Sequence, residues 1–313
     1  MTESARFLLI ASSKMQRTAA FERAVALARA CDAGLDIVAL DGIRMLEVFG
    51  LFSRETFSTL RDSYLQTHRR WLEQEADEER KRGLDCHVQV LWSEQVFEDI
   101  SDYVQATRPA MLIKDVHQQS ALRSLFTTPL DWQLLHDCQC PVQLVTPGPH
   151  ALPQKILAAV NLYRIKDTDL RLNDEILHAA TELGRRSGAS VHVVYSYDWS
   201  SIYAVGIPVL GTMPIESGFQ EALAEAHEEA FSLLCERHGI ESRHRHFLTG
   251  MALPIVEGFA RENHFDLLVI GTLPRPNRLR MLGNTARALL GQAPCSVLIV
   301  KAAPPADGQV KVL

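Results

Sequence analysis

"LLHDCQCPVQLVT" (134–146) and "LLGQAPCSVLIVK" (289–301) are two stretches of this chain that align with each other without a gap. Cys140 falls on Cys295 in this alignment, and each stretch ends in an apolar run rich in valine, leucine and isoleucine. A short, mostly apolar run of this kind, interrupted in the first stretch by Gln143, is typical of a strand that is buried on both faces. The same segment occurring twice predicts that the chain contains an internal repeat.

The repeat extends upstream over nearly the whole sequence. The further pairs of similar segments are "RFLLIASS" (6–13) with "KILAAVNL" (155–162), and "RPAMLIK" (108–114) with "HFDLLVIG" (264–271). The Pro- and Gly-rich stretch "TPGPHALPQ" separates the two copies, as a linker does. The predicted division is a first domain at 1–146, a linker at 147–153, a second domain at 154–303 and a tail at 304–313.

Each copy alternates short apolar runs with segments of helical periodicity. This alternation predicts right-handed strand–helix–strand crossovers, and thus an α/β fold of two tandem Rossmann-like domains with five-stranded parallel sheets. Ligands of such sheets bind at the carboxyl ends of the strands. That rule points to Ser12 and Asn161 after the first strands, and to Lys114 and Gly271 after the fourth strands.

Composition narrows the class of protein. The 313 residues carry 47% hydrophobic residues and a net charge of −6, which is typical of globular domains and argues against nucleic-acid binding. No apolar stretch approaches the roughly 20 residues of a transmembrane helix, and the N-terminus lacks the pattern of a signal peptide. Six cysteines in a chain of this length are too sparse for a disulfide framework. We therefore expect a cytoplasmic protein with reduced thiols.

The pattern "VIG…LGNTA…CSVLIVK" in the second copy and "LIKDVHQ…FTTPLDWQLL…CPVQLV" in the first resembles the universal stress protein family, and within it the tandem-domain E-type members. The resemblance covers nearly the whole chain. It implies a fold of the adenine-nucleotide alpha-hydrolase type, a role in stress survival, a homodimer, and a biochemical activity that is poorly defined.

Some members of that family bind ATP through an aspartate after the first strand and a loop of the form G-x-x-G, nine residues, G-[ST]. In the second copy Asn161 takes the place of the aspartate, Pro274 replaces the second glycine, and the spacer to Gly283 is one residue short. The residues that the resemblance assigns to ATP or a related adenine nucleotide are Asn161, Ser196, Gly271, Thr272, Arg275, Gly283, Asn284 and Thr285. In the first copy Ser12 replaces the aspartate and Lys114 the first glycine.

Two opposing effects act on the altered loop. Pro274 and Pro276 each remove a backbone donor, whereas Asn284 is a favourable N-cap for a helix whose free amides would face an anion. Arginines at 275, 278 and 280 would either clamp phosphates or face water. In the first copy Asp131 lies at a helix start, where a carboxylate already uses the dipole and repels phosphate. We expect no nucleotide there.

Other side chains give weaker signals. His244 and His246 alternate along a predicted strand and would share a face, which suits either a zinc site or an exposed edge strand. Cys138 and Cys140 alternate on the approach to a strand and should point to opposite sides, which disfavours a chelate. We find no catalytic constellation and no complete set of metal ligands, so we expect a protein that is not an enzyme and that holds no metal.

The connections at 43–53 and 199–218 are unusually apolar. They either pack on a neighbouring surface or form a lid over a hydrophobic ligand. The predicted function is a non-catalytic stress-response protein whose second domain senses an adenine nucleotide. Two alternatives stay open: a scaffold or binder of an apolar, lipid-like ligand that takes no nucleotide, and a slow ATPase or nucleotidyl transferase.

Overall fold

The computed structural model describes residues 5–42, 54–116, 129–163, 167–198, 217–272 and 294–301. The first half contains β1 (Arg6–Ala11), α1 (Ala19–Ala30), β2 (Gly34–Gly42), α2 (Arg54–Lys81), β3 (Cys86–Ser93), α3 (Val96–Thr107), β4 (Met111–Asp115), α4 (Pro129–Asp137) and β5 (Val142–Val145). The second half contains β6 (Lys155–Val160), α5 (Asp167–Ser187), β7 (Ser190–Tyr197), α6 (Ser217–Arg237), β8 (Arg245–Thr249), α7 (Ala252–Glu262), β9 (Leu267–Thr272) and β10 (Ser296–Lys301).

The strands form one sheet in the order β3-β2-β1-β4-β5-β10-β9-β6-β7-β8. Within each half all neighbours are parallel, which confirms the predicted fold class. β5 and β10 pair antiparallel, with Gln143 opposite Leu298, and so join the two sheets into one. Because the gapless alignment also places Gln143 on Leu298, the halves are related by a local two-fold axis through this pair.

The strands are buried on both faces, as their continuous apolar runs predict. Phe7 and Leu9 of β1 belong to one hydrophobic core, and Leu8 and Ile10 to another. The first core also includes side chains of α1, α2, α5 and α6, and the second includes side chains of α3, α4 and α7. Each core continues through both halves, which packs the tandem repeat around a shared sheet. None of the described helices combines the length and the apolar character that a membrane-spanning segment requires.

The strand register corrects one alignment made from sequence. Lys114 lies opposite Leu144, and Ile270 lies opposite Ile299. Since Leu144 and Ile299 are equivalent in the repeat, Lys114 corresponds to Ile270, and the next residue, Asp115, corresponds to Gly271. The prediction that Lys114 replaces the first glycine was wrong by one residue.

Backbone conformation supports the corrected alignment. Arg108 and His264 precede β4 and β9, and each has a positive φ, of 46° and 54° respectively. In the corrected alignment these two left-handed residues coincide, and the segments Arg108–Asp115 and His264–Gly271 match along their full length.

Candidate functional site

The carboxyl ends of β6, β7 and β9 meet at one edge of the second half. Asn161 follows β6 and is exposed. Its side-chain oxygen accepts a hydrogen bond from the Tyr163 amide at 3.0 Å, which forms an Asx turn. Its backbone is bonded twice by the buried Asn173 of α5, at 3.0 and 2.8 Å. Among the described residues none accepts a hydrogen bond from the Asn161 side-chain NH₂, so a rigidly held donor remains at this edge.

Gly271 lies in β9, directly beneath α5. A Cβ atom at this position would lie 2.6 Å from Leu172 and 2.8 Å from Ile176. Real Cβ atoms do not approach so closely, so the absence of a side chain at Gly271 lets α5 pack against β9. The glycine therefore has a packing role that the sequence pattern did not reveal, besides its place at the expected ligand edge.

The other predicted nucleotide contacts are less open. Ser196 is buried, and its hydroxyl donates to the Gly250 carbonyl at 2.5 Å. Thr272 ends β9 and is also buried. Arg275, Gly283, Asn284 and Thr285 lie outside the described residues.

An aromatic cluster that sequence reasoning missed adjoins Asn161. The ring of Tyr163 lies 5.7 Å from that of Tyr195, 6.3 Å from that of Tyr197 and 5.5 Å from that of His227. The Tyr163 hydroxyl accepts a hydrogen bond from the Asp198 amide, and the Tyr195 hydroxyl contacts His227 Nδ1 at 2.8 Å. The alternation of Tyr195 and Tyr197 along β7 was the available signal.

Burial shifts the pKa values of the tyrosines and the histidine in this cluster. It raises the pKa of Tyr195 and Tyr197, and it lowers the pKa of His227. The Tyr197 hydroxyl is buried without a hydrogen-bond partner among the described residues. The cluster is therefore neutral at physiological pH and presents aromatic surface beside the Asn161 turn.

The equivalent edge of the first half is filled by its own charged side chains. Asp115 Oδ1 accepts a hydrogen bond from the Ala20 amide in the first turn of α1, at 3.0 Å. Lys114 Nζ lies 2.7 Å from Asp131 Oδ1 in the first turn of α4, with both side chains buried. Carboxylates thus occupy the starts of both helices, where an anionic ligand would bind. Ser12 accepts from the Lys14 amide at 3.3 Å, which mirrors the Asn161 turn.

The histidine prediction needs revision. His244 does not lie on the strand with His246: it belongs to a 3-10 turn (Ser242–His244), and β8 begins at Arg245. Both predicted histidines contact a third, His192 of β7. The ring centroid of His192 lies 4.1 Å from that of His244, and His192 Nδ1 lies 3.0 Å from His246 Nε2. Within the described residues no group of three or more metal-ligating side chains has the geometry of a metal site.

The cysteine prediction was wrong. The Sγ atoms of Cys138 and Cys140 lie 3.5 Å apart instead of on opposite sides. Cys138 directly follows α4, and β5 begins only at Val142. The alternation of a strand therefore does not apply to these two residues.

Comparison with known proteins agrees with the duplicated architecture. The sequence model of the universal stress protein family matches residues 6–146 and 155–301. Universal stress protein E homolog of Haemophilus influenzae is 26% identical over 82% of this chain and 82% of its own length. Universal stress protein E of Photorhabdus laumondii is 28% identical over 82% of this chain and 81% of its own length.

Solved structures show the same fold. A functionally unknown protein from Pseudomonas aeruginosa PAO1 aligns over 96% of this chain and 93% of its own, with a TM-score of 0.72 and 21% identity. A universal stress protein from Archaeoglobus fulgidus aligns over 95% of this chain and 98% of its own, with a TM-score of 0.64 and 14% identity. With two matched copies in one chain and E-type relatives along most of its length, this protein belongs to the universal stress protein family as a tandem, E-type member.

Proposed function

We propose that this protein acts without catalysis in a stress response, and that its second half binds an adenine nucleotide while its first half is structural. The observation that supports this proposal is the asymmetry between the two carboxyl edges. Asp115 and the Lys114–Asp131 pair fill the first edge, whereas Gly271 and the exposed Asn161 stand at the second.

The chemistry of the second edge suits a nucleotide. The Asn161 NH₂ is a donor for a ribose or phosphate oxygen, and Tyr163 offers a partly exposed ring beside it for a base. The proposed site extends to Thr272, Arg275, Gly283, Asn284 and Thr285. Arg275 supplies a cation for the phosphates, and the other three of the last four supply backbone amides. A cytoplasmic location and a homodimer complete the proposal, and the second is tested by light scattering of the purified protein.

Isothermal titration with ATP tests the nucleotide site. Wild-type protein should release or absorb heat at millimolar ATP, and Asn161→Ala should weaken binding about fivefold, as expected for one neutral hydrogen bond of about 1 kcal/mol. Asn161→Asp should strengthen binding when Mg²⁺ is present and weaken it when Mg²⁺ is removed, because the added carboxylate repels a bare triphosphate.

Ser12→Ala is the matched control, since Ser12 holds the equivalent turn of the first half. It should leave ATP binding unchanged. Absence of heat in both wild type and Pro274→Gly would reject the nucleotide proposal, because that variant restores the second glycine of the loop.

A second candidate is the binding of an apolar ligand. The aromatic cluster around Tyr163 and Tyr197 favours it, because Tyr197 is the last residue of β7 and the apolar connection 199–218 follows shortly after it in the sequence. Residues 199–216 of that connection lie outside the described residues. Native mass spectrometry of freshly purified protein should then show a hydrophobic adduct. An apo mass in every charge state counts against this candidate.

A further inference from the structure

Cys138 and Cys140 lie beside the junction between the two halves. They fall between the end of α4 and the start of β5, the strand that pairs with β10 of the second half. Both side chains are buried, at 3% and 7% exposure, and their sulfur atoms are 3.5 Å apart. Among the described residues no other two cysteines have sulfur atoms in hydrogen-bonding contact.

A cation from the other half lies next to this pair. Lys301, the last residue of β10, donates to the Cys138 carbonyl and, at 3.2 Å, to the His136 carbonyl. The hydrogen bond with the Cys140 thiol lowers the pKa of Cys138, and the Lys301 charge adds to this effect. The same hydrogen bond and burial raise the pKa of Cys140. The position of the Lys301 cation, which is bonded to the Cys138 carbonyl, therefore favours the thiolate at Cys138.

We propose that Cys138 and Cys140 form a reversible disulfide, in which the Cys138 thiolate reacts first and Cys140 resolves the product. The oxidant is a small hydroperoxide, because burial of both sulfurs restricts access to molecules little larger than water. The Cys138 sulfur attacks the peroxide, the O–O bond breaks, and water or an alcohol leaves as Cys138 becomes a sulfenic acid. The Cys140 sulfur then attacks the sulfenic sulfur, and a water molecule leaves as the S–S bond forms.

The reaction balances. Two thiols lose two hydrogens, and one hydroperoxide is reduced to water and an alcohol, or to two waters when it is hydrogen peroxide. The sulfur atoms must approach from 3.5 Å to about 2.05 Å. Because Lys301 holds the carbonyls of His136 and Cys138, this movement is transmitted to β10. A disulfide that closes so short a loop constrains the unfolded chain little, which suits a switch better than a structural cross-link.

Peptide mapping of the wild-type protein provides the test. Reduced full-length protein is treated with hydrogen peroxide, denatured and alkylated with N-ethylmaleimide. We expect two of its six cysteines to escape alkylation, the peptide containing Cys138 and Cys140 to be two hydrogens lighter, and dithiothreitol to restore both adducts. Full alkylation of all cysteines would overturn the proposal, as would oxidation that maps to Cys31 instead or that dithiothreitol does not reverse.

Serine variants separate the roles of the two sulfurs. When the variants are treated with hydrogen peroxide and then denatured in the presence of dimedone, so that the buried sulfurs become accessible to it, Cys140→Ser should show a dimedone adduct at Cys138, whereas Cys138→Ser should leave Cys140 unmodified. Cys86→Ser and Cys235→Ser are the matched controls, since both remove a buried thiol, and they should still lose two adducts. Dimedone labelling of Cys140 in Cys138→Ser would refute the assigned order. The wild-type peptide map stands even if a serine variant folds poorly.

Discussion

In the first half Asp115 caps α1 with its carboxylate, whereas in the second half Gly271, at the equivalent position, leaves room for Leu172 and Ile176 of α5. The preceding position is also charged in the first half and apolar in the second. Lys114 is buried in an ion pair, whereas its equivalent Ile270 is buried among apolar side chains. One backbone thus supports two chemistries at its carboxyl edge. The first half places carboxylates at the starts of α1 and α4, and the second leaves the Asn161 NH₂ without an acceptor among the described residues.

The buried Lys114–Asp131 ion pair is the difference between the halves from which we expect the largest effect on stability. Lys114→Ile copies the second half at one position and leaves Asp131 as a buried carboxylate that has lost its cation. Removing one partner of a buried pair lowers the free energy of unfolding by about 3–5 kcal/mol, and urea denaturation should show a loss of that size.

The double variant Lys114→Ile, Asp131→Leu is the control for this prediction. It removes both charges together and should return to within about 1–2 kcal/mol of wild type, since a well-packed apolar pair replaces a buried ion pair at little cost. Equal losses in the single and double variants would show that the carboxylate does not depend on Lys114.

The two-fold axis offers a second comparison, because it pairs two equivalent residues of different polarity. Gln143 is fully buried opposite Leu298, and both polar atoms of its side chain lack a hydrogen-bond partner among the described residues. Gln143→Leu makes the pair symmetric and removes a buried amide, so we expect the free energy of unfolding to rise by about 1–3 kcal/mol. Leu298→Gln, the mirror variant, should lower it by a similar amount in the same urea titration. A stability loss in Gln143→Leu would mean that the amide is satisfied.

The duplicated fold could be predicted because the apolar runs of both halves recur at matching positions, and those runs suffice to define parallel, doubly covered strands. The joining of β5 to β10 could not, since an edge strand carries no local mark of its partner. The one-residue error at Lys114 arose at a strand end, where a lysine replaces an apolar residue and the pattern loses its register.

The errors at the candidate site have related causes. Cys138 was assigned to a strand approach because the end of α4 has no clear stop signal. Tyr163 was overlooked because a single aromatic residue after a strand has no distinctive spacing. Asn161 was correctly expected after the first strand of its copy, since the end of an apolar run is visible in the sequence, but the Asn173 side chain that fixes its turn lies elsewhere in the chain.

The two outer corners of the sheet, one around His192 of β7 and the other around Asp36 of β2, should differ in how acid affects their stability. In the second half, burial first and then the charges of His244, His246, Lys155 and Arg243 lower the pKa of His192 from 6.5 to about 4. The unfolded chain therefore binds more protons than the folded chain between these values. The stability that neutral His192 provides is complete above about pH 6.5 and is lost as the pH falls towards 4.

The equivalent corner of the first half is held by opposite charges. Arg6 contacts Asp36 at 2.7 Å and also pairs with Asp85, and the hydrogen bond from Arg6 lowers the pKa of Asp85 below its usual 3.8. A carboxylate with a lowered pKa loses its contribution only as the pH falls below its ordinary value. At pH 5 this corner should be intact while the His192 corner is already weakened.

Hydrogen exchange at pH 5 and pH 7.5, corrected for the intrinsic pH dependence of exchange, measures this smallest of the expected effects. Amide protection in β7 and β8 should fall at pH 5 relative to that in β2 and β3. His192→Asn should reduce the difference, because the proton that His192 takes up on unfolding is then absent, and His192→Asn combined with His246→Asn should reduce it further, because burial also lowers the pKa of His246. Parallel loss of protection at both corners would show that acid acts on the whole sheet, and that the histidines do not make the second half the acid-sensitive one.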